Sequence, residues 1–383
     1  MTVRFFITIC TLLVTGLCAL SLGGRVFYLA SWALILMISY SLLSLLLARR
    51  LLEIRQQADD LKAERGASST LQVSVRMRSV LPIAPLELHM DLPDGRTTLL
   101  LDAGMLRQRT ASFPFFLPHV GVVPVGARAV YLSDIFRLFR WRKRQVQPPA
   151  EIAVLPRPFD VEKLQFLDRD DGRAIPNRST EDITSPDDTR KYRDGDPMKR
   201  IHWKLSSRKR ELVVRRFELP APPDTLVLMD CADPEGYDNV PDGLSRLKDT
   251  LCETALSAAK MQMDGSQPVR VPLYGARAGE FKADRAGSLS LLQEELAYQI
   301  FRGGEPFPKV LNVELRRMRR TGATIVVTTR LDPDVVEGVK HIRRSGPSVR
   351  FYLVTFRPDD PAYEPLVAQL QRHLVEVCYV TPA

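Results

Sequence analysis

"DTLVLMD", residues 224–230, is a short apolar strand that ends on an aspartate. Four similar runs follow: "VRVPLY" at 269–274, "ATIVVTT" at 323–329, "VRFYLVTF" at 349–356 and "VEVCYV" at 375–380. Stretches of helical character separate them, at 244–263, 289–301, 310–320 and 361–374. Strand and helix in alternation predict an open, mostly parallel α/β sheet over residues 224–383.

Upstream, the period changes. In "TLQVSVRM" the residues Leu71, Val73, Val75 and Met77 fall on one face, and Gln72, Ser74 and Arg76 on the other. That is the pattern of a half-buried strand. Leu86, Leu88, Met90 and Leu92 repeat it, and "DLPDGRTTLLL" adds a turn and another strand. The reading is a small antiparallel β-sandwich of immunoglobulin-like size over residues 67–147. Residues 148–223 read as a connecting segment, first acidic and rich in loops, then strongly basic.

The first fifty residues hold two apolar runs without charge, 5–22 and 26–47, separated by Gly23, Gly24 and Arg25. A bilayer core of ~30 Å needs ~20 helical residues, so each run reads as a span and the pair as a hairpin. Residues 48–65 read as a helical stalk, making 1–66 a transmembrane hairpin with its juxtamembrane extension. Arg49, Arg50, Arg55, Lys62 and Arg65 follow the second span, and Arg4 precedes the first. The positive-inside rule then places the N-terminus and everything after residue 48 in the cytoplasm, so that both termini are expected there. The five cysteines form no C-x-x-C pair, so neither a zinc knuckle nor a disulfide framework is signalled.

The net charge is +9, and it is concentrated. Between residues 190 and 216 stand eleven Lys and Arg against three Asp and Glu, a span that overlaps "YRDGDPMKRIHWKLSSRKRELVVRRFE" (192–218). Asp196 followed by Pro197 predicts a helix start, with about three turns to follow. Met198, Ile201 and Leu205 would line one face, Arg200, Lys204 and Arg208 a cationic ridge, and Trp203 the side opposite the apolar stripe. Such a helix suits a joint wedged between the two domains, with Trp203 covered and the ridge paired to upstream carboxylates such as Glu181, Asp182, Asp187 and Asp188. Three other readings compete with it: nucleic-acid binding, contact with acidic lipid or polymer, and catalysis by His202 with Asp194 or Asp196. Against nucleic acid stand a single aromatic on the predicted helix and the lack of a known fold signature.

This stretch resembles the signature Y-R-x-G-D-x-x-R-x-I-H-W-K-x-S-A-R of the bacterial membrane family called domain of unknown function fifty-eight. Tyr192, Arg193, Gly195, Asp196, His202, Trp203, Lys204 and Arg208 fall on it, as do Ile201 and Ser206, with Arg200 one place after the signature's middle Arg. "LSDIFRLFRW" (132–141) resembles the family's D-P-F-G-L-F element, with Ile135 and Arg137 at its Pro and Gly. "IAVLPRP" resembles its V-Y-P-R-P strand. The resemblance implies a membrane-anchored protein with a von Willebrand factor A-like, Rossmann-like domain at 224–383. It also implies a scaffold or adaptor role beside a MoxR-type AAA+ ATPase, with a transglutaminase-like membrane protein as a second partner and no catalysis of its own. The A-like domain's metal motif D-x-S-x-S is degenerate here: "DCADP" keeps Asp230 but has Ala232 and Pro234 at the Ser positions. The expectation is therefore no metal and no cofactor. A metal-independent hydrolase centred on His202, and a binder of anionic polymer or lipid, stay open as alternatives.

Overall fold

The structure, a computed structural model, describes residues 3–93, 95–102, 108–143, 147–161, 188–192, 198, 201–216, 223–234, 240–275, 278–283, 288–299, 301, 304–318 and 321–382. It is a mixed α/β chain with two apolar N-terminal helices and several β-sheets.

Helices α1 (Val3–Leu22) and α2 (Arg25–Leu51) are each long and apolar enough to cross a membrane. Gly23, at φ 65°, makes the turn between them in a conformation that L side chains rarely adopt. The expected stalk helix is not there. α2 stops at Leu51, and β1 (Leu52–Ala58) and β2 (Lys62–Glu64) take its place. The physical reason is alternation: Leu52, Ile54 and Ala58 are buried while Arg55 and Gln57 face solvent, a period that a helix cannot satisfy.

β1 pairs with β3 (Ser68–Met77), which pairs with β6 (Gln108–Phe116), all antiparallel. A second sheet runs in the order β2, β9 (Ala150–Leu155), β7 (Gly121–Ser133), β4 (Leu86–Leu92), β5 (Gly95–Leu101), with β8 (Arg140–Lys143) also on β7. Leu71, Val73, Val75 and Met77 share a core with Leu86, Leu88, Met90, Val130 and Leu132, so the alternating residues do face inward. β9 belongs to this sheet and not to the connecting segment, because Ile152 and Val154 complete the same core.

This β region grips the helical hairpin through the loop after β7. Asp134 is wholly buried, accepting from Phe136 N (3.0 Å), Phe139 N (2.7 Å) and the Ser41 hydroxyl of α2 (2.9 Å). Phe139 stacks at 5.0 Å on Phe5 of α1.

The C-terminal region is one six-stranded sheet. Its order is β14 (Ala278–Ala283), β13 (Val269–Tyr274), β12 (Asp224–Met229), β15 (Thr321–Thr328), β16 (Ser348–Val354), β17 (Val375–Val380). All neighbours are parallel except β14, the antiparallel edge. Helices α4 (Gly243–Asp264) and α5 (Leu289–Ala297) cover one face, packed on Val227, Met229, Ile325 and Val327. Helices α6 (Phe307–Arg317), α7 (Pro333–Arg344) and α8 (Glu364–Arg372) cover the other, on Leu226, Leu228, Val326 and Phe351. The apolar strands are buried on both sides, as parallel sheets are. β14 and α7 are additions to the sequence reading. The chain builds outward from β12 in one direction and then from β15 in the other, so the strand order reverses between them, a place where open α/β sheets form their crevice.

Candidate functional site: the basic hairpin and the end of the central strands

The signature stretch folds as a small separate unit. β10 (Asp188–Lys191) pairs antiparallel with β11 (Val213–Arg216), and α3 (Trp203–Lys209) lies between them in sequence. Tyr192 N donates to Leu212 O (2.9 Å), His202 N to Val213 O (2.8 Å), and Val213 N to the Ser206 hydroxyl (2.9 Å). Ile201, Ser206 and Val213 are buried inside the unit. Arg210, in the left-handed conformation at φ 51°, closes the helix.

The helix start expected at Asp196 and Pro197 lies outside the described residues. α3 itself begins at Trp203, has seven residues and is capped by His202, with Nδ1 accepting from Leu205 N at 3.2 Å. That start puts Trp203 in the first turn, pointing outward. Trp203 is 64% exposed and Met198 71% exposed, with Leu212, Lys204, Arg208 and Arg210 also at the surface. The predicted wedge is thus corrected: Trp203 is uncovered, and among the described residues no ion pair reaches Lys204 or Arg208. Arg193, Gly195, Asp196 and Arg200, with the supposed acid partner Asp194 and the carboxylates Glu181, Asp182 and Asp187, lie outside the described residues. Catalysis by His202 has a geometric obstacle, since the ring nitrogen that would act as a base already serves the backbone.

The joint between the two large regions is elsewhere, on α4. Asp249, Glu253 and Ser257 recur every four residues and form one polar ridge along the helix. Asp249 accepts from Val120 N (2.7 Å) and lies 2.8 Å from His119 Nδ1. Arg65 bridges Glu253 (2.7 Å), Asp249 (3.4 Å) and the Pro118 carbonyl (3.0 Å). The Ser257 hydroxyl accepts from Phe159 N (2.9 Å). Burial pushes the Asp249 and Glu253 carboxyls above their usual range, opposed by His119 and Val120 N at the first and by Arg65 at both. Sequence reading missed this joint, although the i, i+4, i+8 spacing was there to be read.

At the reversal of strand order stands Asp230, 1% exposed, just past β12. Its Oδ1 accepts from Ala232 N (3.0 Å) and its Oδ2 from the Thr328 hydroxyl at the end of β15 (2.8 Å). Arg330 Nε lies 3.9 Å from the same carboxylate, and Arg330 also donates to the Asp233 carbonyl. Gly304 sits where any Cβ would meet the Cys231 carbonyl oxygen at 2.3 Å, so the loop before α6 is pressed against this strand end. These residues do not suit an octahedral dication. Ala232 and Pro234 bring no side-chain oxygen, and a guanidinium shares the one carboxylate available. Asp332, the next acid along, caps α7 by accepting from Val335 N (2.8 Å). Burial pushes the neighbouring Cys231 thiol up to about 12, which removes it as a nucleophile.

The family model "Protein of unknown function DUF58" matches residues 188–345. The match takes in the basic hairpin and most of the α/β sheet. No curated protein matches the chain. Among solved structures, a CARDB domain from Pyrococcus furiosus, determined with di-metal ions, matches at 6% identity and TM-score 0.21, covering 27% of this chain and 94% of its own. Cwp6 from Clostridium difficile matches at 7% identity and TM-score 0.18, covering 86% of this chain and 53% of its own.

Proposed function

We propose that this chain is a membrane-anchored scaffold that presents the basic hairpin to a protein partner, with a MoxR-type AAA+ ATPase as that partner. The observation that carries the reading is the surface of the hairpin. Trp203, Met198 and Leu212 are exposed apolar side chains amid Lys204, Arg208 and Arg210. Aromatic and Arg side chains together are what binding energy concentrates on at protein interfaces. A transglutaminase-like membrane protein is a second candidate for the same assembly.

The α/β region supports a von Willebrand factor A-like reading through its strand order and its antiparallel edge at β14. In this chain such a domain works without the metal, because Arg330 supplies the positive charge beside Asp230. The helices α1 and α2 span the bacterial inner membrane with both termini in the cytoplasm, following Arg4 before the first span and Arg49, Arg50 and Arg55 after the second, all on one face. The hydrolase alternative has less behind it, given the capping role of His202.

The test is capture of a purified MoxR-type ATPase by the full chain in detergent, with Mg²⁺ and with EDTA. Equal capture in both, lost in Trp203→Ala, supports the scaffold. Capture that disappears on chelation, or that survives Trp203→Ala combined with Lys204→Gln and Arg208→Gln, sinks it.

A further inference from the structure

Where α2 meets the β region, a groove of about 640 Å³ opens between the last turn of the helix, β1 and β8. Four cations line it: Arg49, Arg50, Arg55 and Lys143. The carboxylate that shares the lining, Glu53, is held by Arg78 at 3.1 Å. Lys143 donates to the carbonyl of Leu52, and burial lowers its pKa against the pull of Glu53. A partly buried ammonium beside three guanidinium groups is costly unless an anion joins them.

The surroundings say which anion. Leu42, Leu43 and Leu46 are exposed on α2, and Leu42, Leu46, Arg49 and Arg50 follow one another at i, i+4, i+7 and i+8. One helix face therefore carries an apolar stripe that ends in two arginines a turn later. Trp141 lies beneath the Arg49 guanidinium at 5.9 Å, and exposed Phe136 stands beside Tyr40 with their rings 6.3 Å apart. Aromatic side chains at this level are what a membrane surface selects. A free phosphate would use the groove and leave the stripe unexplained; an anionic phospholipid uses both.

We infer that this groove binds the phosphate headgroup of an anionic phospholipid whose acyl chains lie along Leu42, Leu43 and Leu46. The inference rests on the reading that α1 and α2 span the membrane. It gives the helical hairpin a second task, to hold the β region at a fixed height and rotation against the bilayer.

The full chain would be placed in nanodiscs of phosphatidylcholine with and without phosphatidylglycerol, then extracted, and its retained lipid measured by mass spectrometry. Phosphatidylglycerol should be enriched on the protein. The triple variant Arg50→Gln, Arg55→Gln, Lys143→Gln should lower that enrichment on the order of tenfold, given the usual attraction of each basic residue to an anionic surface. Arg316→Gln, Arg357→Gln and Arg372→Gln together remove the same charge from exposed sites on the α/β region and should leave it unchanged. Equal loss in both variants, or no enrichment in the natural chain, overturns the site. Thermal stabilisation in detergent by glycerol phosphate as large as that by phosphatidylglycerol overturns the lipid assignment. Release of the protein from native membranes by alkaline carbonate would overturn the spanning reading instead, a separate outcome.

Discussion

His119 Nδ1 and Asp249 Oδ2 lie 2.8 Å apart, and they tie the loop before β7 to the polar ridge of α4. With Asp249 ionised, Nδ1 carries the proton and donates. The same carboxylate is approached by Arg65 and accepts from Val120 N, so one residue of the α/β sheet's covering helix is held by three residues of the β region. The joint that the basic helix was expected to make is made here.

Arg65→Ala should loosen it. The change leaves Asp249 and Glu253 buried with one cation fewer, and breaking such a pair costs about 3 kcal/mol. Calorimetry of the full chain should show one transition for the natural protein and two for the variant. Retention of one transition at the same midpoint would mean that Arg65 contributes nothing to domain coupling.

The pH dependence follows from the same carboxyl. Burial raises the pKa of Asp249 in the folded state above its unfolded value, so between the two values the native state holds more protons. Stability then falls as pH rises through that window and is favoured below it. Compared with Asp249→Asn, which does not titrate, the natural chain should gain thermal stability as pH is lowered from neutral into the carboxylate range. A gap that widens the other way would contradict the assignment of burial as the dominant cause.

Parts of this architecture were legible in the sequence and parts were not, for identifiable reasons. The alternation of Leu71, Val73, Val75 and Met77, and the apolar run of 226–229, place those residues correctly because periodicity reports burial directly. The stalk was misread because Arg55, Gln56 and Gln57 give residues 52–58 a polar composition, while their period of two is marked by only Leu52, Ile54 and Ala58. The start of α3 at Trp203 was not legible because its cap, His202, depends on a backbone bond from His202 N to Val213 O eleven residues on. Whether Trp203 is covered depends on which element packs against it, and no local pattern contains that.

His202→Ala tests the cap against catalysis. Losing the Nδ1 acceptor should cost about 1 kcal/mol, expressed as earlier local opening of α3 in hydrogen exchange. His202→Asn should restore protection, since Asn is a strong cap, while it could not replace a catalytic imidazole. Failure of Asn to restore the helix would remove the capping account.

Trp203 offers the most direct reading of the hairpin's surface. In a chain with Trp32→Phe and Trp141→Phe, its emission should be solvent-like and readily quenched by a soluble quencher, as its 64% exposure requires. Trp203→Ala should change unfolding stability by less than about 0.5 kcal/mol, the usual range for exposed positions away from special features. Addition of the ATPase should shift the emission to the blue and shield it. A blue emission in the isolated chain would mean that the side chain is already covered, and the hairpin would then be an internal contact with no face to offer a partner.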